Sequence, residues 1–111
     1  MSDKPPEPFG ARRNVADVAP KLQQLTDEVL FGDVWKRPGL SPRDRSLVTV
    51  ASLVALYRTN ELPIHLKKAL ENGATREELV ETITHLAFYS GWPTAMTAMS
   101  IARRVFEDAK A

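Results

Sequence analysis

The stretch SPRDRSLVTVASLVALYR, residues 41–58, constrains this chain more than any other part of it. It opens on helix-start signals in register. Ser41 can cap a helix, and Pro42 suits the first helical position, where its missing N–H would lack a partner anyway. Asp44 stands third, where a carboxylate can complete a capping box. Residues 47–57 are then apolar nearly all round, which marks an element covered on every side. The β-branched Val48, Thr49, Val50 and Val54 would also suit a strand, but the length and the cap favour a helix. A central helix of this kind needs other helices to wrap it.

The rest of the chain supplies them. From Pro20, Leu22, Leu25, Val29 and Leu30 recur at helical spacing until Gly32 stops the pattern. A connector follows, FGDVWKRPGL, with Trp35 its one large apolar residue away from the flanks and Pro38-Gly39 a turn signal. Thr59-Asn60 breaks the central helix, Asn60 can cap the next, and Pro63 falls in that helix's first turn. Asn72-Gly73 ends it. Thr75 and Glu78 form a further capping box, opening a helix through Leu79, Val80, Ile83, Leu86 and Ala87. SGWP, residues 90–93, breaks it, and a last helix carries Ala95, Met96, Met99, Ala102 and Phe106. The two methionines at helical spacing read as packing residues. No stretch reads convincingly as a strand. The expectation is an all-α domain of about five to six helices over residues 15–111, preceded by a loose, Pro-rich and charged arm at 1–14.

Charge and cysteine content narrow the chemistry. Fifteen basic residues against 14 acidic ones leave a formal charge of +1, so nothing points to nucleic acid or a membrane surface. No apolar run approaches a membrane span, and the N-terminal MSDKPPEPFGARR has no apolar core of a secretory signal. A cytoplasmic protein is the expectation. With no cysteine, thiolate nucleophiles, Cys-x-x-Cys redox chemistry and thiolate-held metals are excluded.

The candidate chemistry begins with Glu61 and His65, four apart and therefore on one helix face. A carboxylate beside an imidazole favours the protonated ring and fixes its orientation, which suits a general acid. The bland alternative is a solvated surface pair. His85 has Glu81 one turn before it and Tyr89 one turn after, beside the apolar Leu86 and Ala87, so it is expected to be at least partly buried. It could be a satisfied core histidine or line a pocket. Arg45 directly precedes the apolar run, where its guanidinium can grip a substrate carboxylate or one from a neighbouring helix, whereas Arg43 reads as a surface charge. Trp35 and Trp92 flank chain breaks, where aromatics roof pockets or fill interfaces. Two histidines without an H-E-x-x-H or a carboxylate cluster give no metal site, and no cofactor motif accompanies them.

Three segments together resemble the carboxymuconolactone decarboxylase family, which shares a helical fold with the alkylhydroperoxidase D proteins: residues 37–56, 61–81 and 84–95. They carry Arg-Ser-Leu-Val opening the central helix, then Leu-x-x-His with a Gly eight residues on and a Glu-Glu pair. They close with His-x-Ala-x-Tyr-x-Gly-x-Pro-x-Ala. The redox branch of that fold has Cys-x-x-Cys seven and four residues before the histidine. Here those positions are Arg58 and Glu61, so a thiol peroxidase relay is impossible.

The resemblance implies cofactor-free decarboxylation of a carboxylated lactone of the 4-carboxymuconolactone type, in aromatic catabolism. In that reading His65, with Glu61 behind it, protonates the ring carbon. Arg45 holds carboxylate and developing oxyanion, and His85, Tyr89, Trp35 and Trp92 line the substrate pocket. A lactone isomerase or hydrolase using the same pair, or a non-catalytic ligand-binding helical oligomer, are the alternatives. The resembled family forms trimers and hexamers. The all-apolar helix and the several-sided apolar surface of the last one, with Met96, Met99, Ile101 and Phe106, agree with a homo-oligomer, expected to be a hexamer.

Overall fold

The computed structural model describes residues 14–110, and the arm expected at 1–14 lies, Asn14 apart, outside them. The chain falls into two compact units that divide between Pro38 and Gly39. In the first, α1 (Pro20–Leu25) starts on its proline and runs on as a π-helical turn, Thr26–Phe31. The apolar spacing predicts one uniform helix, and the wider winding of its second half was not legible in that spacing. Gly32 ends it under steric constraint, since a Cβ there would stand 2.6 Å from the Glu28 carbonyl oxygen. A 3-10 turn, Val34–Lys36, then holds Trp35, whose ring lies 6.2 Å from that of Phe31.

The second unit is four helices: α2 (Pro42–Ala55), α3 (Leu62–Glu71), α4 (Arg76–Leu86) and α5 (Trp92–Lys110). No strand occurs among the described residues, so the fold is all-α as the sequence predicts. Ser41 caps α2, its Oγ accepting from the Asp44 N–H at 3.1 Å. The α4 capping box is complete. Thr75 Oγ1 accepts from the Glu78 N–H, and a Glu78 carboxylate oxygen accepts from the Thr75 N–H at 2.8 Å.

The expectation of an α2 covered all round needs correction. Ser46, Val50 and Val54, four apart, form a single buried stripe, while Val48 and, just past the helix, Leu56 and Tyr57 are exposed. The helices α3, α4 and α5 all contact α2, and together they bury only this stripe of it. The helix also ends two residues early. The Arg58 N–H reaches back to the Leu53 carbonyl at 2.8 Å and the Tyr57 N–H to that of Val54, with Tyr57 left-handed at φ +58°.

Two devices place α3. Its buried face, Leu62, Leu66 and Ala69, joins Val50, Leu79 and Ile83 in the core. Asn72, just past its end, donates from Nδ2 to the buried Ser46 Oγ at 2.9 Å, so the end of α3 is tied to the start of α2. Gly73 then turns the chain at φ +105°. A Cβ there would meet nothing within 4 Å, so the penalty of a side chain is purely one of backbone conformation. Gly73→Ala is expected to destabilise the fold by about 1–2 kcal/mol, read by urea titration. An unchanged midpoint would show that this left-handed turn is not required.

The last break also differs from expectation. Trp92 and Pro93 belong to α5, and the break occupies 87–91, with Gly91 at φ +112°. Proline lacks only the N–H that a first helical turn leaves without an intrahelical partner, so it starts this helix as it starts α2. Among the described residues no helix is long and apolar enough to cross a membrane.

Candidate active site

Glu61, not Asn60, takes the N-cap position of α3, and its side chain does not cap the helix. Pro63, at the second helical position, removes one of the two N–H groups a capping side chain would bind. The Glu61 carboxylate instead accepts a hydrogen bond from Arg58 Nε at 2.9 Å. The His65 N–H closes the first turn onto the Glu61 carbonyl, which sets the two side chains one turn apart. The Glu61 side chain is only 12% exposed, and His65 is half-buried.

This burial reverses one expectation. The His65 ring is held below the ordinary histidine pKa, first by desolvation and then by the nearby Lys68 ammonium. The Glu61 carboxylate pulls the other way but is outweighed. The spacing predicts a protonated ring, whereas the environment favours the neutral one in the free protein.

Arg45 lies in the first turns of α2, half-buried and with its Nε enclosed, in keeping with an arginine held at the edge of the core. Arg43 is not the simple surface charge expected. It bridges Asp44 and, across to α4, Glu78. Glu78 thus serves two purposes, completing the α4 capping box with one oxygen and accepting from Arg43 with the other.

His85 is exposed rather than partly buried. Its ring stacks on Tyr89 at 4.8 Å, while Trp92 stands edge-on to Phe88 at 5.6 Å. His85 follows Ile83 by two residues, about 200° round a helix of 3.6 residues per turn, and so faces away from the buried stripe of Leu79 and Ile83. His85 also rims a shallow depression of about 430 Å³ with Arg43, Leu47, Glu78, Glu81 and Leu86. Among the described residues no hydrogen bond, ion pair or ring contact joins the His85–Tyr89 pair to His65. Trp35 belongs to the first unit and is half-buried there. No group of three or more carboxylate or imidazole side chains among the described residues is placed to hold a metal ion.

Two residues at the site escaped the sequence reading. Arg58 and Lys68 stand three before Glu61 and three after His65, one helical turn away in each case. That spacing was the available signal. The arrangement offers a partly desolvated imidazole beside a carboxylate and two cations, a set that can attract an anion and, once the ring is protonated, donate a proton.

Residues 20–104 match the sequence model of the Carboxymuconolactone decarboxylase family. The chain is 43% identical over 95 residues to a 4-carboxymuconolactone decarboxylase of Acinetobacter baylyi, an alignment covering 86% of this chain and 71% of that one. It is 35% identical over 98 residues to the nitrosuccinic acid decarboxylase npaB of Metarhizium robertsii, covering 88% of this chain and 68% of that one.

Proposed function

The chain belongs to the carboxymuconolactone decarboxylase family, and from that premise we propose that it decarboxylates a carboxylated lactone of the 4-carboxymuconolactone type without a cofactor. In this reading residues 15–111 act as one domain of a cytoplasmic enzyme of aromatic catabolism. The observation that carries it is the half-buried His65 one turn from Glu61.

The chemistry needs little from the protein. The bond to the ring-borne carboxylate breaks, and its electron pair moves through the ring double bond into the lactone carbonyl. Carbon dioxide leaves and a dienolate remains. A cation, Arg45, stabilises that oxyanion. His65 then gives a proton to the ring carbon, with Glu61 orienting the imidazole. We assign His85, Tyr89 and Trp92 to substrate contacts. A panel assay of carbon dioxide release from carboxylated lactones tests the reading.

The depressed His65 pKa has a kinetic consequence. A general acid must carry its proton, and a bound anionic substrate offsets the desolvation that strips it. kcat/KM, which reports the free enzyme, is therefore expected to fall as pH rises through a pKa below the ordinary 6.5 of histidine. The corresponding fall in kcat lies at higher pH. Coincident limbs would contradict a substrate-held proton.

The likeness to a nitrosuccinic acid decarboxylase favours a second substrate class, a dicarboxylate whose acceptor is a nitro group. There the electron pair would pass to the nitro oxygens and the same proton would quench a nitronate.

The exposed Phe88, Tyr89, Trp92 and Met96 support a homo-oligomer, and we take the hexamer as its state. Light scattering at micromolar concentration is expected to give a particle of six 12.4 kDa chains. A monomer mass would contradict it.

A further inference from the structure

We propose that Arg58 is a substrate-binding residue whose outer guanidinium N–H groups receive the carboxylate that the substrate keeps through the reaction. The proposal rests on the decarboxylase reading for the identity of that ligand and on geometry for the site.

Arg58 stands on a rigid platform. Its N–H closes onto the Leu53 carbonyl at 2.8 Å, and Tyr57 before it is held in the left-handed region at φ +58°. A non-glycine residue keeps that conformation only where its surroundings enforce it. From this turn the Arg58 side chain meets Glu61 through Nε. Among the described residues that carboxylate is its only side-chain partner.

A guanidinium carries five N–H groups, so the Nη1 and Nη2 donors remain on offer in a planar fork that matches a carboxylate. The pair is also asymmetric, the Arg58 side chain being 58% exposed and that of Glu61 12%. One end is anchored inside and the other opens outward. An exposed ion pair adds little stability, so stability alone gives a weak account of this arrangement.

Charge balance points the same way. Glu61 would repel an anionic substrate from His65. Arg58 pairs with that carboxylate, and Lys68 adds a second cation close enough to act on the ring. With the imidazole neutral, the surroundings of His65 favour an anion. A 4-carboxymuconolactone and a nitrosuccinic acid each carry two carboxyl groups, so one survives the loss of carbon dioxide. Gripping the surviving group directs binding energy to a part of the substrate that does not react.

The test uses the whole chain with Arg58→Gln and Arg58→Lys, exposed sites whose folding is checked by circular dichroism. Turnover is measured on 4-carboxymuconolactone and on its methyl ester at the retained carboxylate. Binding is measured calorimetrically with the ring-saturated lactone, which has no electron sink and cannot react. Arg58→Gln is expected to raise KM for the diacid and Kd for the saturated analogue about 10- to 100-fold. kcat should change little, Arg58→Lys should recover part of the loss, and the ester should not distinguish Gln from Arg. A fall in kcat with KM and Kd unchanged would mean that Arg58 only props Glu61, and would overturn the proposal. So would equal losses on diacid and ester, no effect at all, or a wild-type chain that does not bind the analogue. Wild-type binding that depends on Arg58 without carbon dioxide release would overturn the decarboxylase reading and leave this proposal supported.

Discussion

Replacing His65 with Gln lowers turnover by about 10²–10⁴-fold, the usual worth of a positioned general acid, and leaves the fold in place. The separation of the two effects follows from where the ring sits. His65 is half-buried on α3, while the core contacts of that helix come from Leu62, Leu66 and Ala69. Glutamine keeps a polar side chain of similar reach there but has no proton to give near neutral pH. Because the folded environment disfavours the charged ring, the substitution also removes a group whose neutrality costs stability as pH falls below 6.5. There the unfolded chain takes up a proton that the folded one resists. The variant should therefore be no less stable than the parent in mild acid. Steady-state rates beside a urea titration check both halves, and a variant of normal stability and full activity would remove His65 from the reaction.

Leu66→Ala is expected to do the reverse. Leu66 is fully buried in the middle of α3, next to His65, and packs in the cluster that joins α2, α3, α4 and α5. Truncation there costs about 2–5 kcal/mol through lost burial and the cavity left behind. For a domain of this size each kcal/mol lowers Tm by roughly 4–8 °C. Activity measured well below the transition should survive better than in the His65 variant. A Tm within a degree or two of the parent would contradict the central place given to α3.

What the sequence made legible was local. Caps at Ser41 and Thr75, the proline starts of α2 and α3, and the glycine stop at Gly73 all depend on residues within a turn or so of each other. They appear in the structure where the spacing placed them. Contacts between elements were not legible. Nothing near Arg43 signals that it reaches Glu78, 35 residues away, and nothing near Ser46 announces Asn72. The apolar run of α2 overstated its burial because composition cannot say how many sides the neighbours cover. His85 was misjudged on its partly buried neighbours Leu86 and Ala87, whereas its two-residue offset from the buried Ile83 places it on the far side of the helix.

At the site, the spacing gave the Glu61–His65 pair but not its protonation. Four-residue spacing argues for a charged ring, and only the burial of the ring and the position of Lys68 show that desolvation wins. Arg58, read from sequence merely as the replacement for a cysteine, forms an ion pair with Glu61.

The most direct test of the decarboxylase account follows 4-carboxymuconolactone by NMR in deuterated water while released carbon dioxide is measured. The account predicts one carbon dioxide per lactone consumed and one deuterium on the ring carbon protonated by His65, with both slowed about 10²–10⁴-fold in His65→Gln. A product that keeps both carboxyl groups, with its double bond moved or its lactone opened, would contradict decarboxylation and show an isomerase or hydrolase instead. So would a lactone that binds and is recovered unchanged, the mark of a binding protein.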